Sequence, residues 1–406
     1  MDFFKVISCE ETKKLLNERF ADKRQIIKTC SVEGSLGYTA AEDIFAAAAV
    51  PSFNRSTVDG FAVRSADCFG ASESLPALLQ NLGKVLMGEA ATLSVNAGTA
   101  VAVPTGGMLP KGSDGVVMIE NCEDFGDHTV GIRKPIAPGE NTITAGDDLQ
   151  VGELVLQKGQ KITPLLVGLL SAAGVTEVKC FNRPRFYIIS TGDELVNAGE
   201  SLSGARIYNV NGPVLAASIR NRGGEVVKQV IIKDQYQLLL AAVKEGIEQA
   251  DCVLVSGGSS VGERDYTYKV INELSDGGAF IKGIAIKPGK PTIVGKAGNA
   301  ALVGLPGHPV SAAMIYKALI EPLFFSEKHL QEAVVKVKMA VNMPSSPGKT
   351  TFQPVNLQNH DGEYFASPVF GKSGLISLLA KSSGYIEIKD NYEGLYQNDE
   401  VEVHLW

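Results

Sequence analysis

Hydrophobic positions along the chain fall into four stretches of different period. Near the start, Leu15, Leu16 and Phe20 recur at helical spacing within 12–20, and Ser8 with Glu11 makes the S-x-x-E capping signature ahead of them. This predicts a capped helix. After Ser31 the period shortens. Between about 75 and 160 the runs GKVLMG, GTAVAVPTGG, DGVVMIE and GELVLQKGQKI predict short strands and tight loops, in a barrel-like or sandwich module. Thr163-Pro164 then opens a helix that stops at Gly174. From about 182 strands alternate with helices. RFYIIST, EVVKQVIIK, DCVLVSG, TIVGKA and NAALVGLPG are strand-like. NGPVLAASIRNRGG, ending in Gly-Gly, QLLLAAVKEGIEQA, YTYKVINEL and PVSAAMIYKALIEPLFF are helix-like. That alternation predicts a parallel sheet with helices on both faces. From about 328 the pattern returns to strands (AVVKVKMAV, YFASPVF, GYIEIKD, DEVEVHL), which predicts a small separate β domain.

A chain of 406 residues suggests two to four domains. Its 45 % apolar and 20 % charged residues exclude global disorder. A formal net charge of −7 argues against general affinity for nucleic acid or an anionic membrane, although it leaves room for a local basic pocket. The six cysteines, at 9, 30, 68, 122, 180 and 252, are widely spaced with no CxxC pair. They read as reduced buried thiols and not as a disulfide scaffold or a zinc site. No signal-peptide pattern and no membrane-length apolar run occurs, so a cytoplasmic protein is expected.

In an open parallel sheet, ligands bind outside the carboxyl ends of the strands. Three loops are predicted at that edge: STGDEL (190–195), SGGSSVGERDYT (256–267) and GLPGHPVSA (304–312). Gly257 and Gly258, followed by Ser259 and Ser260, can present consecutive backbone N–H groups to an anion. AIKPGKP (285–291) sets Lys287 and Lys290 around a Pro-Gly turn, an arrangement suited to a phosphate or oxyanion. Glu194, Asp234 and Asp265 lie near these loops, and carboxylates gathered there want a cation such as Mg²⁺ bound with phosphate oxygens. This points to metal-assisted chemistry on a phosphorylated small molecule.

Each piece also has a plainer reading. TGDE can be a turn with a helix cap, KPGKP a solvated turn, and Asp59-Gly60 in STVDGFAV an ordinary turn pair. The five histidines show no metal-ligand spacing. GxGxxG is absent, and GKT at 348–350 cannot end a P-loop because Met343 stands where Gly is required. Residues 258–262 do satisfy G-x-S-x-G, so a serine hydrolase with Ser260, Asp276 and His308 is an alternative.

In order, the segments PSFNRSTVDGFAVRSAD, VAVPTGGMLPKGSDGVVMIE, APGENTITAGDDLQVGELVLQKG, STGDELV, NVNGPVLAASI, SGGSSVGERDYT, KPGKP and GLPGHPVSA cover nearly the whole chain. Together they resemble the molybdopterin molybdotransferase family, which is related to the C-terminal part of gephyrin. The resemblance implies a multidomain α/β and β fold. Its parts are an elongated N-terminal domain (1–26, 46–53 and 143–181), an inserted β domain (27–45 and 54–142), a three-layer α/β/α molybdopterin-binding domain with a parallel-rich sheet (182–327) and a C-terminal β domain (328–406). It implies a homodimer whose active cleft lies between one subunit's α/β domain and the other's inserted domain. The implied reaction converts adenylylated molybdopterin and molybdate into molybdenum cofactor and AMP, with Mg²⁺. A molybdopterin adenylyltransferase protein and recipient molybdoenzymes are the implied partners.

By motif match the resemblance assigns catalytic roles to Asp59, Thr105, Asp148, Glu194, Asp234, Asp265 and Lys287, with metal at Glu194 and Asp265. It assigns substrate binding to Gly257, Gly258, Ser259, Ser260, Lys290, Pro306, His308, Pro309 and Ser373. The chain departs from the family pattern in places. His308 stands where GLPGNP has Asn, Gly283 where a basic residue is usual, and Lys349 where Arg is usual. Residues 381–384 replace the usual Arg-Ala-Asn-Gly. These departures leave open a paralogue that binds molybdopterin or its cofactor without inserting molybdenum, or that handles tungstate.

Overall fold

The computed structural model describes residues 6–21, 26–257, 266–325 and 334–406. The first helix, Cys9–Phe20, starts as its capping signature predicts: Ser8 Oγ accepts the Glu11 N–H at 3.1 Å. The helix buries Cys9, Leu16 and Phe20 in the core of the α/β unit rather than among residues 143–181.

The strand Ile27–Ser31 runs antiparallel to Glu177–Phe181, and Ile44–Phe45 pairs with Leu154–Leu156. Val32, Ala40, Ala46, Leu149, Leu156 and Leu170 share one buried cluster. This corrects the division read from sequence. Residues 27–45 pack with 143–181, and the first helix packs on the α/β unit, because their apolar residues are completed there. The helix Pro164–Ala172 has Thr163 as cap and ends before Gly174, whose φ of +75° favours glycine.

Inserted between these pieces is a six-stranded sheet, in which Gly60–Val63 lies between Gly115–Met118 and Thr99–Val103. Alternate side chains of Gly60–Val63 enter two different clusters, Phe61 and Val63 on one face and Ala62 on the other.

The α/β unit is a six-stranded sheet with Cys252–Ser256 and Ala300–Leu305 at its centre and Arg185–Thr191 beside them. Glu225–Ile232, Arg185–Thr191, Cys252–Ser256 and Ala300–Leu305 are parallel, while Ile293–Ala297 is antiparallel. Cys252–Ser256 and Ala300–Leu305 are buried throughout and Arg185–Thr191 is buried from Phe186 on, as strands covered on both faces must be. Asn211–Asn221 and Pro309–Ile315 contribute to the cluster on one face, Tyr236–Gln249 and Tyr266–Leu274 to the cluster on the other. The run expected as one helix after Pro309 contains a π turn, Tyr316–Ile320, before Glu321–Phe324. Pro322 accounts for it: it has no N–H to donate to the carbonyl four residues back, and its ring crowds that carbonyl.

The last unit is another six-stranded sheet, built around the eleven-residue strand Thr350–His360. Phe352, Leu379 and Tyr385 enter the same core as the α/β helices, so the two units share apolar packing.

All six cysteines are free thiols. Burial raises the pKa of Cys9 and Cys68 to about 11, and that of Cys122 and Cys180 to about 12. A thiol raised in the folded state binds a proton that the unfolded chain has already released, so stability falls as pH rises through that window. Urea unfolding should therefore give constant stability up to about pH 8.5 and a steady loss from there towards pH 11–12. Cys-to-Ala replacement at these four positions should flatten that loss. Glu321, 2 % exposed, binds Lys317 at 2.6 Å and Arg222 at 3.1 Å. Glu321→Ala takes the buried carboxylate away from two part-buried cations and should lower the unfolding free energy by about 3 kcal/mol or more, read from the urea midpoint.

Candidate functional site

Strand register builds the site. Ser190 is level with Ser256, and Ser256 with Leu305, so three parallel strands end side by side. Their loops carry Thr191 to Glu194, Gly257, and Pro306 to Pro309 out of the sheet together. Glycine is obligatory at 257. Its φ is +115°, and a Cβ there would lie 2.2 Å from the Thr191 carbonyl oxygen. The two loops thus touch backbone to backbone, and Gly307 packs against the Gly257 Cα.

Short polar side chains fix this edge. Thr191 Oγ1 donates to the Asp234 carboxylate, and the Asp234 N–H donates to Asp193 Oδ1 at 3.3 Å. Asp234 is half-buried, while Asp193 and Glu194 are exposed. The Glu194 carboxylate folds back over Gly192, where a Cβ would meet it at 2.8 Å. Asn211 Nδ2 donates both to Ser256 Oγ at 2.6 Å and to the Gly307 carbonyl at 2.8 Å, leaving Asn211 Oδ1 buried without a partner. The Gly307 carbonyl only accepts, so it fixes which way the amide faces. Asn209 Oδ1 accepts from Ser190 Oγ and the Gly212 N–H, each at 3.1 Å.

The C-terminal unit reaches the same edge. His308 Nδ1 lies 2.8 Å from Ser373 Oγ, and the Val310 N–H donates to the Ser373 carbonyl at 3.1 Å. Pro309 takes the first position of the helix Pro309–Ile315, where its missing N–H leaves no ladder bond unmade.

Of the residues expected from sequence, Glu194, Asp234, Gly257, Pro306, His308, Pro309 and Ser373 come together at this edge. Gly258, Ser259, Ser260 and Asp265 lie outside the described residues. Lys287 and Lys290 occupy a separate shelf. The strand Ile286–Lys287 joins the C-terminal sheet, and Lys287 Nζ donates to Ser346 Oγ at 3.3 Å. Gly289 packs on Ile315, the far end of the helix that begins at Pro309, roughly 9 Å along its axis.

Asp59 and Thr105 form a third group, in which Asp59 Oδ1 accepts the Thr105 N–H at 2.7 Å. Gly60 allows that geometry, because a Cβ there would lie 1.9 Å from the Val117 carbonyl oxygen. Asp148 is exposed, and its N–H donates to Val50 O at 3.0 Å. Among the described residues, no hydrogen bond links Asp59, Thr105 or Asp148 to the strand-end loops.

A hydrolase triad is not assembled. The Asp276 carboxylate accepts from Gly298 N, at the start of the strand whose far end leads to His308, roughly 16 Å away. Thr191, Asp193, Asn209, Asn211 and Ser256 were missed as site residues. The signal for them was the pair of asparagines before Gly212-Pro213, short polar side chains able to tie loops to a helix start. Among the described residues, no three His, Cys, Asp or Glu side chains gather as a metal cage. No helix among them is long and apolar enough to cross a membrane.

Three family models match in succession: the MoeA N-terminal region (domains I and II) over 7–174, the probable molybdopterin-binding domain over 187–325, and the MoeA C-terminal region (domain IV) over 336–406. The molybdopterin molybdenumtransferase of Haemophilus influenzae is 33 % identical over 89 % of this chain and 90 % of its own. That of Staphylococcus aureus strain Mu50 is 30 % identical over 93 % and 90 %. This chain belongs to the MoeA family. The crystal structure of a molybdopterin biosynthesis MoeA protein from Pyrococcus horikoshii superposes with a TM-score of 0.83 at 34 % identity, covering 99 % of each chain. The multidomain architecture and the α/β/α layers are therefore those of MoeA proteins.

Gly257→Ala should strain the contact on which two of the loops rest. A destabilisation of about 1–3 kcal/mol is expected. It should appear as a lowered melting temperature and as faster proteolysis of the strand-end loops.

Proposed function

We propose that this protein is a molybdopterin molybdotransferase, which takes adenylylated molybdopterin and molybdate and releases molybdenum cofactor and AMP. The observation that carries the reading is the strand-end edge itself. Carboxylates of Asp193, Glu194 and Asp234 stand beside a glycine-permitted backbone cradle, in a chain related over nine-tenths of its length to molybdopterin molybdenumtransferases.

Gly257, with Gly258, Ser259 and Ser260, cradles the pterin phosphate through backbone N–H groups. Pro306, His308, Pro309 and Ser373 form the opposite wall. Lys287 and Lys290 receive the oxyanion on their own shelf, where Lys287 donates to the neutral hydroxyl of Ser346. Asp234, held by Thr191, and Glu194 orient the water and phosphate groups at which the phosphoanhydride breaks. Asp59, Thr105 and Asp148 complete the cleft from a second subunit of a homodimer.

Mg²⁺ commonly binds one or two carboxylates together with substrate phosphates. The exposed carboxylates of Asp193 and Glu194 fit that habit. Glu194 and Asp265 would hold the ion, which would supply charge neutralisation on the phosphates. Covalent protein intermediates have no role in this scheme.

A binding protein without turnover is the second reading. The His308–Ser373 hydrogen bond favours it, because it engages two side chains assigned to substrate.

Incubation with adenylylated molybdopterin, Mg²⁺ and molybdate decides between the two. Molybdate-dependent AMP release is expected, and pterin affinity without AMP would favour the second reading. Asp234→Asn and Glu194→Gln should each lower the rate of AMP release by about 10²-fold or more while leaving the fold intact. Unchanged rates in both variants would sink the role given to this edge.

A further inference from the structure

A second cleft opens at the opposite end of the α/β sheet. Pro184, Gly223 and Asp251, which line it, each precede a parallel strand, so it lies a full strand length from the strand-end loops. It encloses about 370 Å³, and its other wall comes from the unit that carries Tyr38, Lys158 and Phe181. That volume falls in the range of small-ligand sites.

Its lining is of two kinds. The floor is apolar, with Leu323, Phe324 and Phe325. Phe325 lies parallel to Phe186 at 6.0 Å, so one ring face is packed and the residue lines the cleft with the rest of its surface. The rim is cationic. Lys158, Arg183 and Arg222 stand against Asp251, and an adjoining depression that shares Tyr38 and Arg183 adds Lys28 and Arg220 against Glu225. With Arg222 paired to the buried Glu321, four cations remain to two carboxylates, an excess of positive charge on a chain whose formal net charge is −7. Glu321 is occupied by Arg222 and Lys317 and leaves the other four cations uncancelled.

Two of the cations are held in advance by an aromatic ring. Lys28 Nζ and Arg183 Cζ lie 4.1 and 4.2 Å from the Tyr38 ring centroid, and Lys28 also donates to the Tyr38 hydroxyl at 2.8 Å. Neither is paired with a carboxylate among the described residues. Cations fixed by a ring rather than by a counter-ion keep their charge available and lose little freedom when an anion arrives.

We propose that this cleft is a second ligand site that binds a nucleoside monophosphate, with the phosphate on Arg183 and Lys158 and the heterocycle against the Phe324–Phe325 floor. The apolar floor separates this assignment from a bare anion site, and the cationic rim separates it from a purely apolar one. AMP is the product of the reaction proposed above, so a site of this class would sense that product. The sensing role rests on that reading, whereas the binding does not.

Isothermal titration with AMP, adenosine and inorganic phosphate tests the assignment, on the wild-type chain and on Lys158→Glu and Arg183→Glu. AMP should bind at least tenfold more tightly than adenosine or phosphate, and each charge reversal should weaken it at least tenfold. Lys158 is exposed, so its variant should keep the wild-type melting temperature even if Arg183→Glu, whose side chain packs on Tyr38, does not. Photolabelling with 8-azido-AMP should mark a peptide containing Tyr38 or Phe324–Phe325. Label confined to 191–195 and 304–309 would overturn the proposal. So would AMP affinity indifferent to Lys158→Glu, or phosphate binding as tightly as AMP. Molybdate-dependent AMP release measured on Lys158→Glu keeps the two readings apart, since that residue lies outside the transferase edge.

Discussion

The level endings of three parallel strands are the constraint on which the site depends. Because Ser190, Ser256 and Leu305 share one register line, the chain must leave the sheet three times within a few ångströms. A slip of one residue in any of these strands would exchange the side chains packed against one helical layer with those packed against the other, and close packing of both layers forbids the slip. Burial therefore sets the position of Gly257 against Thr191 and of Gly307 against Gly257, before any polar contact forms. The hydrogen bonds from Asn211, Thr191 and Asn209 then lock loops that packing has already brought together.

The same core explains how a distant segment joins the edge. Phe352, Leu379 and Tyr385 are buried with Leu305, Val310 and Ile315, so the C-terminal sheet is seated on the helix that begins at Pro309. Ser373 can then meet His308, sixty-five residues away in sequence, with the precision a hydrogen bond needs. The first helix joins this packing through Cys9, Leu16 and Phe20, and Lys13 reaches Glu387 at 3.1 Å. Apolar contact between units gives the edge its geometry, and the polar pairs give it chemistry.

What the sequence revealed follows from what periodicity can record. The alternation after 182 located the long strands and the helices of the α/β unit, since continuous burial leaves runs such as FYIIS that have no other use, while the two-residue strands Leu195–Val196, Ile207–Tyr208 and Ile281–Lys282 were missed. Glycines and short polar residues at strand ends marked the loops. Pairing between remote strands was not legible. Nothing in residues 27–45 says that their partner is 177–181 and not the neighbouring barrel-like module, because a five-residue strand with alternating burial fits either edge. The π turn was hidden because Pro322 near a helix end reads equally as a first-turn proline. Asn211 was overlooked for a related reason. An asparagine at a helix start is ordinary, and only the two acceptors that its amide meets distinguish it. Lys287 was grouped with the carboxylates by motif match, and the motif alone does not say that the chain carries that turn onto the C-terminal sheet.

Separation of lysines from carboxylates has a physical use in the proposed reaction. Opposite unit charges about 4 Å apart attract by roughly 4 kcal/mol at an effective dielectric of 20. A lysine set beside Asp234 would therefore pair with it and be lost to an incoming oxyanion, as the carboxylate would be lost to a cation. Lys287 instead donates to the neutral hydroxyl of Ser346, while Asp234 is held by a threonine hydroxyl and a backbone N–H turns on its neighbour Asp193. Neutral partners orient each charge without cancelling it. A substrate that carries phosphate at one end and meets an oxyanion at the other needs both kinds of unspent charge, a few residues of helix apart. The fold supplies that spacing through the Pro309–Ile315 helix, with His308 at its start and the lysine turn packed at its end.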